Sequence, residues 1–322
     1  MKKSIKNIFF ALCLICVLFS CATTKGPEVP ILTKYDDMMF WKIEGSDLKG
    51  RLSTIYVLGT IHIGDDRLYP IPQEIANAYG AADKVYGEIS TEDWKTLIPK
   101  TQRRMSEGAV EVAEIQEERG YVWYDNLKPE SREFLEKKLQ NQVLEAGKAN
   151  MPWVMSSLLS DLSLAGTGLT SNYAYDTHFI TVSNQFGIPM YGLDAMDVQL
   201  DVMTYGDFDF QLELLTSTIE EMINDENAVY QETIDMYEAY LTGDASILED
   251  VLLGQLEAEL EAQPEYQGYY DALFLNRNLN WAETFSQLLY EGGTTFVFAG
   301  SGHFIGKDSV FAIMKDKGDL VY

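Results

Sequence analysis

Three histidines occur in the 322 residues, and two of them sit in one four-residue frame: Gly59-Thr60-Ile61-His62 and Gly300-Ser301-Gly302-His303. Each frame follows an apolar, β-branched run, residues 53–58 (STIYVL) and 294–299 (TTFVFA). Such runs read as strands, and in open α/β sheets ligands collect beyond the carboxyl ends of strands. Glycine lets the chain turn tightly there and leaves room beside the backbone. A neutral imidazole is the commonest metal ligand and a general base near neutral pH. One such histidine reads as a buried core residue; two in matching settings favour function.

Acids stand in similar places. Glu88 lies inside a strand pattern, residues 84–89 (KVYGEI), and Asp194 follows another, residues 188–193 (IPMYGL). A charge among β-formers must be paired, hydrated or bound to a cation. Asp197, three residues on, reads more simply as a helix cap. Asp176 and His178 are accessory candidates: the acid suits a helix cap, and the histidine suits a carboxylate partner or a surface position. Arg277 and Asn278 add a guanidinium, which clamps a carboxylate or stabilises an oxyanion, beside an amide.

Charge narrows the partners. There are 24 basic and 50 acidic residues, a net charge of −26, which excludes a free nucleic-acid binder, since that needs a basic face. A hydrophobic content of 46% argues for a packed core over disorder. The imbalance is regional. Ten basic residues lie between Lys95 and Lys148, and residues 149–276 hold 23 acids and no Lys or Arg. Arg277 ends that stretch as an isolated cation.

The amino terminus reads as an address. Lys2, Lys3 and Lys6 precede an apolar run over residues 8–19, then Ser20 and Cys21. This fits an export signal, and the run falls short of the roughly 20 residues of a membrane span. Leu18-Phe19-Ser20-Cys21 resembles the lipobox of bacterial lipoproteins. Residues 1–20 are therefore expected to be a lipoprotein signal peptide, Cys21 the acylated (palmitate-bearing) residue and 21–34 a tether. Residues 35–322 would form one domain, exported and anchored to a bacterial cell-envelope membrane with the lipid bilayer as partner. Cys13, Cys16 and Cys21 all fall here, so the mature domain has neither a disulfide nor a cysteine zinc site. Its charge is −29, from 21 basic and 50 acidic residues.

To position these groups, a hairpin is expected from residues 38–43 and 53–58, with further strands at 84–89, 188–193 and 294–299. Helical patterns fill 91–148 and 151–186. A long acidic helical region covers about 205–290, with breaks near Gly243 and Pro264. A final helix starts near Lys307, and residues 318–322 read as a short terminal strand. The fold class is α/β, with α+β its neighbour: a mixed central sheet flanked by helices, with a long helical insertion.

Together these segments resemble the TraB/GumN (PrgY-like) family, related to the Tiki-type metalloproteases. The resemblance runs from about Met39. It takes in Gly59-Thr60-Ile61-His62, residues 65–82, the strand with Glu88, Asp176-Thr177-His178-Phe179 and Tyr191-Gly192-Leu193-Asp194. Its clearest part is Asn276-Arg277-Asn278-Leu279-Asn280-Trp281 with residues 296–307. It implies an α/β domain with a divalent-metal peptidase site built on His62, Glu88 and His303, accompanied by Arg277 and Asn278. Where the family often has Glu-Thr and then Glu-Gln, this chain has Asp194-Ala195 and Val198-Gln199, which shortens the acid.

The resulting expectation is a membrane-anchored metal-dependent hydrolase acting on a peptide or protein. His62, His303 and Glu88 would hold Mn, Co or Zn. Asp194 or another acid would be the base, Arg277 the oxyanion donor, and Asn278 would orient substrate or complete the shell. The rival is a non-enzymatic lipoprotein that captures a metal, a haem or a peptide in the same pocket. A third reading makes the acidic helices an interaction surface beside a degenerate site.

Overall fold

The computed structural model describes residues 28–321; the signal segment, Cys21 and the chain through residue 27 lie outside the described residues. Six strands form one sheet: β1 (Ile31–Lys34), β2 (Phe40–Ser46), β3 (Leu52–Thr60), β4 (Lys84–Ile89), β5 (Met190–Asp194) and β6 (Gly293–Gly300). Their spatial order is β1-β2-β3-β6-β4-β5. The first three run antiparallel, while β3, β6, β4 and β5 are mutually parallel. The sheet is thus mixed and flanked by helices, an α/β architecture.

The β2–β3 hairpin closes through Asp47, whose Oδ1 accepts the N–H groups of Lys49 and Arg51, each at 2.8 Å. Strand β6 arrives from the far end of the chain and slots between β3 and β4. Its Phe296, Val297, Phe298 and Ala299 are all buried, as a parallel strand covered on both faces requires. The register pairs Gly59 with Ala299 and Thr60 with Gly300. The two Gly-x-x-His frames therefore leave the sheet side by side. Two boundaries shift from the sequence reading. Residues 31–34 belong to the sheet rather than the tether, because Ile31 pairs with Glu44 and Lys34 with Trp41. The terminal strand is reduced to one bridge, Ile31 with Val321.

Helices fill the connections from β4 to β5 and from β5 to β6. They build a second apolar core around Trp123, Leu135, Met155, Leu159, Leu215 and Ile219, where the helix Pro152–Thr167 packs on Phe208–Leu241. The expected breaks near Gly243 and Pro264 are both present. The segregated charges meet across this layer: Lys100 with Asp197, Arg104 with Asp201, Arg119 with Asp209, Lys128 with Glu220 and Lys138 with Glu226. Part of the acidic stretch is thus the partner of the basic one rather than only a solvated face. Each exposed pair contributes about 0–1 kcal/mol. Among the described residues no helix is long and apolar enough to cross a membrane.

Candidate functional site

The carboxyl ends of the four parallel strands carry the chemistry. His62 lies two residues past β3, and His303 ends the 3-10 turn Ser301–His303 that follows β6. Glu88 is the penultimate residue of β4, and Asp194 is the last of β5. A Cβ placed on Gly300 would stand 3.3 Å from Glu88 Oε1, 3.7 Å from His303 Cδ2 and 3.9 Å from His62 Nε2. The three side chains thus surround one spot, and Gly300 keeps it open. Gly59 has a different reason to be glycine. A Cβ there would stand 2.8 Å from Ser301 Oγ, so the two turns fit together only because one of them lacks it. Ser301 Oγ also donates to Thr60 O at 2.9 Å, and Tyr240 OH donates to Gly59 O at 3.0 Å.

Each imidazole is held by Nδ1. Asn278 Nδ2 donates to Asp308 O (2.8 Å), which turns Asn278 Oδ1 toward His303 Nδ1 at 2.6 Å. The proton of His303 must then sit on Nδ1, leaving a lone pair on Nε2. Burial, and then the Arg277 charge, keep this ring neutral by lowering its pKa to about 3. His62 Nδ1 lies 3.2 Å from Asp176 Oδ2, and Asp176 Oδ1 accepts from Thr60 Oγ1 at 2.7 Å. Asp176 Oδ2 is buried without an aligned hydrogen bond, so the contact with His62 is one of charge. Asp176 raises the His62 pKa to about 9 against the opposing effect of burial. The His62 side chain is 66% accessible, and that surface lines the open cleft.

A buried network fixes the acids. Arg277 Nε donates to Asp194 Oδ2 (2.7 Å), Nη2 to Glu88 Oε2 (2.6 Å) and Nη1 to Leu273 O (3.1 Å). Trp281 Nε1 donates to Asp194 Oδ1 at 2.8 Å. Gln199 Nε2 reaches Glu88 Oε2 (3.0 Å) and Asp194 Oδ2 (3.2 Å). Burial works against the charge on Glu88, yet His62, His303, Arg277 and the Gly300 N–H outweigh it and hold its pKa at about 2. Burial raises the Asp194 pKa despite Arg277.

Asp194 therefore has both oxygens occupied by donors from Arg277, Trp281 and Gln199. It braces Arg277 and is not free to act as a base. Arg277 in turn spends its guanidinium on two carboxylates and a carbonyl. His178 does not join the site. On the helix Tyr175–Phe186, residues 176 and 178 point about 200° apart, so with Asp176 on the cleft, His178 packs against Tyr69 and Phe179. The sequence reading passed over Thr60 and Trp281 and gave Gln199 no role. Trp281 had a legible signal, lying one helical turn from Arg277 on the helix Asn276–Glu291.

Two cavities, of about 420 and 660 Å³, meet at His62, Glu88, Gln199 and Met203. The smaller is walled by Trp94, Leu97, Met196 and Phe298; the larger reaches Leu248, Leu252, Phe274, Arg277 and His303. Among the described residues no three His, Cys, Asp or Glu side chains are already closed to the spacing of a metal centre. Glu88 Oε1 instead accepts the Gly300 N–H at 2.9 Å. His62 Nε2 lies 3.7 Å from that oxygen, close to the roughly 3.4 Å between two tetrahedral donors at ligand distance. The donor set, two imidazoles and a carboxylate, suits a divalent cation in kind; what it lacks is closure.

A sequence profile of the TraB/PrgY/gumN family matches residues 39–321. The chain belongs to the TraB/PrgY/gumN family. A Treponema pallidum (strain Nichols) protein, described as uncharacterized, is 28% identical over 319 residues, covering 96% of this chain and 90% of its own length. No solved structure matches. The family match spans every site residue named above, and the Gln199 of this TraB/PrgY/gumN chain binds both acids of the network.

Proposed function

We propose that the cleft is the active site of a metal-dependent hydrolase acting on peptide bonds, in an exported chain anchored by acylated Cys21. The observation that carries this reading is the convergence of His62, His303 and Glu88 round the space that Gly300 leaves empty. His62 Nε2, His303 Nε2 and Glu88 would hold the ion. Both imidazoles are oriented through Nδ1 by an oxygen, the support that metal-ligating histidines generally have. Charge supports the same reading: Glu88, Asp176 and Asp194 outnumber Arg277, and a divalent cation would stand where His62 otherwise carries a proton.

When bound, such an ion supplies Lewis-acid polarisation of a carbonyl and a water of lowered pKa. The chain's own residues do the rest. Asn278 fixes the His303 tautomer, Asp176 aims His62, and Arg277 with Gln199 holds the Glu88 carboxylate in place. Gln199 spends Nε2 on the two acids, so its Oε1 is the atom left to accept a substrate amide N–H. The apolar walls of the cavities on either side would take the side chains flanking the bond being cut.

The test is metal content and cleavage of a mixed peptide pool by the purified chain, beside His62→Ala and His303→Ala. Loss of both metal and cleavage in each variant is expected, and full activity in both sinks the reading. Stoichiometric ligand binding without turnover would favour the non-enzymatic capture reading instead.

A further inference from the structure

The end of the sheet opposite the cleft has an unusual surface. Leu48, at the tip of the β2–β3 hairpin, is 83% exposed, and Tyr290 is 52% exposed. The two touch through Leu48 N–H to Tyr290 O at 3.1 Å. Val29, Ile31, Leu52 and Val321 are also exposed there. Val29 and Tyr290 line one shallow hollow, and Val321 bridges Ile31. Phe186, 69% exposed, ends the helix that leads into β5 at the same end. Isolated exposed apolar residues need no explanation, but a contiguous set does.

The chain path says what covers it. The chain enters β1 at this end, since Ile31 pairs with Glu44 near the hairpin turn. Glu28 lies seven residues on from Cys21, a reach of at most about 25 Å. Strand β3 alone spans about 25 Å from Leu52 to Thr60. An inverted molecule would need a fully stretched tether merely to pass its own sheet. Lys49 follows Leu48, and Arg51 is paired with Asp47; the cleft lies at the other end of the sheet. There Tyr240 bonds Gly59 O, and Leu248 and Leu252 line the cleft.

We propose that the Leu48–Tyr290 face rests on the membrane that carries acylated Cys21, so that the His62 cleft opens away from the lipid at a height of about 25 Å. This rests on the lipid-anchor reading and adds an orientation to it.

The test uses the full chain matured in bacterial membranes and reconstituted into vesicles of phosphatidylethanolamine and phosphatidylglycerol. Cys21 is the last cysteine of the sequence, so Leu48→Cys and, at the cleft end, Ile247→Cys each supply one thiol for a polarity-sensitive fluorophore. The probe at 48 is expected to shift to the blue and be quenched by doxyl-bearing lipids, while the probe at 247 stays water-like. Flotation of the chain with a water-like probe at 48 overturns the docking while leaving the anchor standing. Failure to float overturns both. Shielding at 48 without lipid, rising with protein concentration, assigns the face to a second copy and also overturns the docking.

Discussion

The role given to Asn278 is sharp enough to test by one substitution. Asn278→Leu keeps the branching at Cγ but removes the acceptor opposite His303 Nδ1 and the donor to Asp308 O, bonds of 2.6 and 2.8 Å. Both side chains are buried, at 1% and 4% exposure, so no water replaces the lost partners. An unsatisfied buried donor costs about 1–3 kcal/mol, and the Asp308 carbonyl adds about 1 kcal/mol. Stability should therefore fall by about 2–4 kcal/mol, read by urea unfolding. The ring of His303 also loses its fixed tautomer. Loss of such an orienting partner lowers metal affinity about 10–100-fold, read by competition with a chromogenic zinc chelator. Asn278→Asp separates the two effects. It keeps an acceptor for Nδ1 but opposes a carboxylate to Asp308 O, so it should lose stability while holding zinc affinity within a few-fold. If Asn278→Leu unfolds more easily yet binds zinc as the parent does, Asn278 supports the fold and not the site.

Gly300→Ala tests the open spot directly. Gly300 has φ −52°, which any L residue adopts, so its effect must come from the methyl group 3.3 Å from Glu88 Oε1. Metal uptake should be lost with a stability change within about 1 kcal/mol, as compared by chelator titration and urea unfolding. Asp194→Ala leaves the buried Arg277 with Glu88 as its remaining carboxylate, and urea unfolding should show a loss of about 3 kcal/mol. At the hairpin, the Arg51 N–H above all holds the Asp47 carboxyl below its usual range. A depressed acid contributes stability above its unfolded value, near 3.9, and loses it as pH falls through the folded value. Protection of the Lys49 and Arg51 amides, as the intrinsic exchange rate at each pH over the observed rate, should thus fall below about pH 4, and Asp47→Ala should lower it at neutral pH as well.

What the sequence made legible was local. Each Gly-x-x-His frame follows a β-branched run, and Glu88 stands out as an acid in an apolar strand. These depend on neighbours a few residues away, and all three side chains face the space beside Gly300. The β3–β6 pairing joins segments some 240 residues apart, and no local pattern encodes it. The tether boundary moved for a similar reason: residues 31–34 are too few to read as a strand until β2 and Val321 pair with them. Asp194 was legible as a buried acid but not in its role, which is set by donors on two separate helices. His178 was misplaced by proximity in sequence to Asp176, where helical geometry turns the two apart. Arg277 drew attention through charge isolation, and its real setting is a clamp between two carboxylates.

The central claim is that His62, His303 and Glu88 form one cation site. Calorimetric titration of zinc into the metal-stripped chain, beside the His62→Ala/His303→Ala double variant, tests it most directly. The account predicts one ion per chain in the parent and none in a double variant that still unfolds cooperatively. Equal uptake by both, or none by the parent, would contradict it.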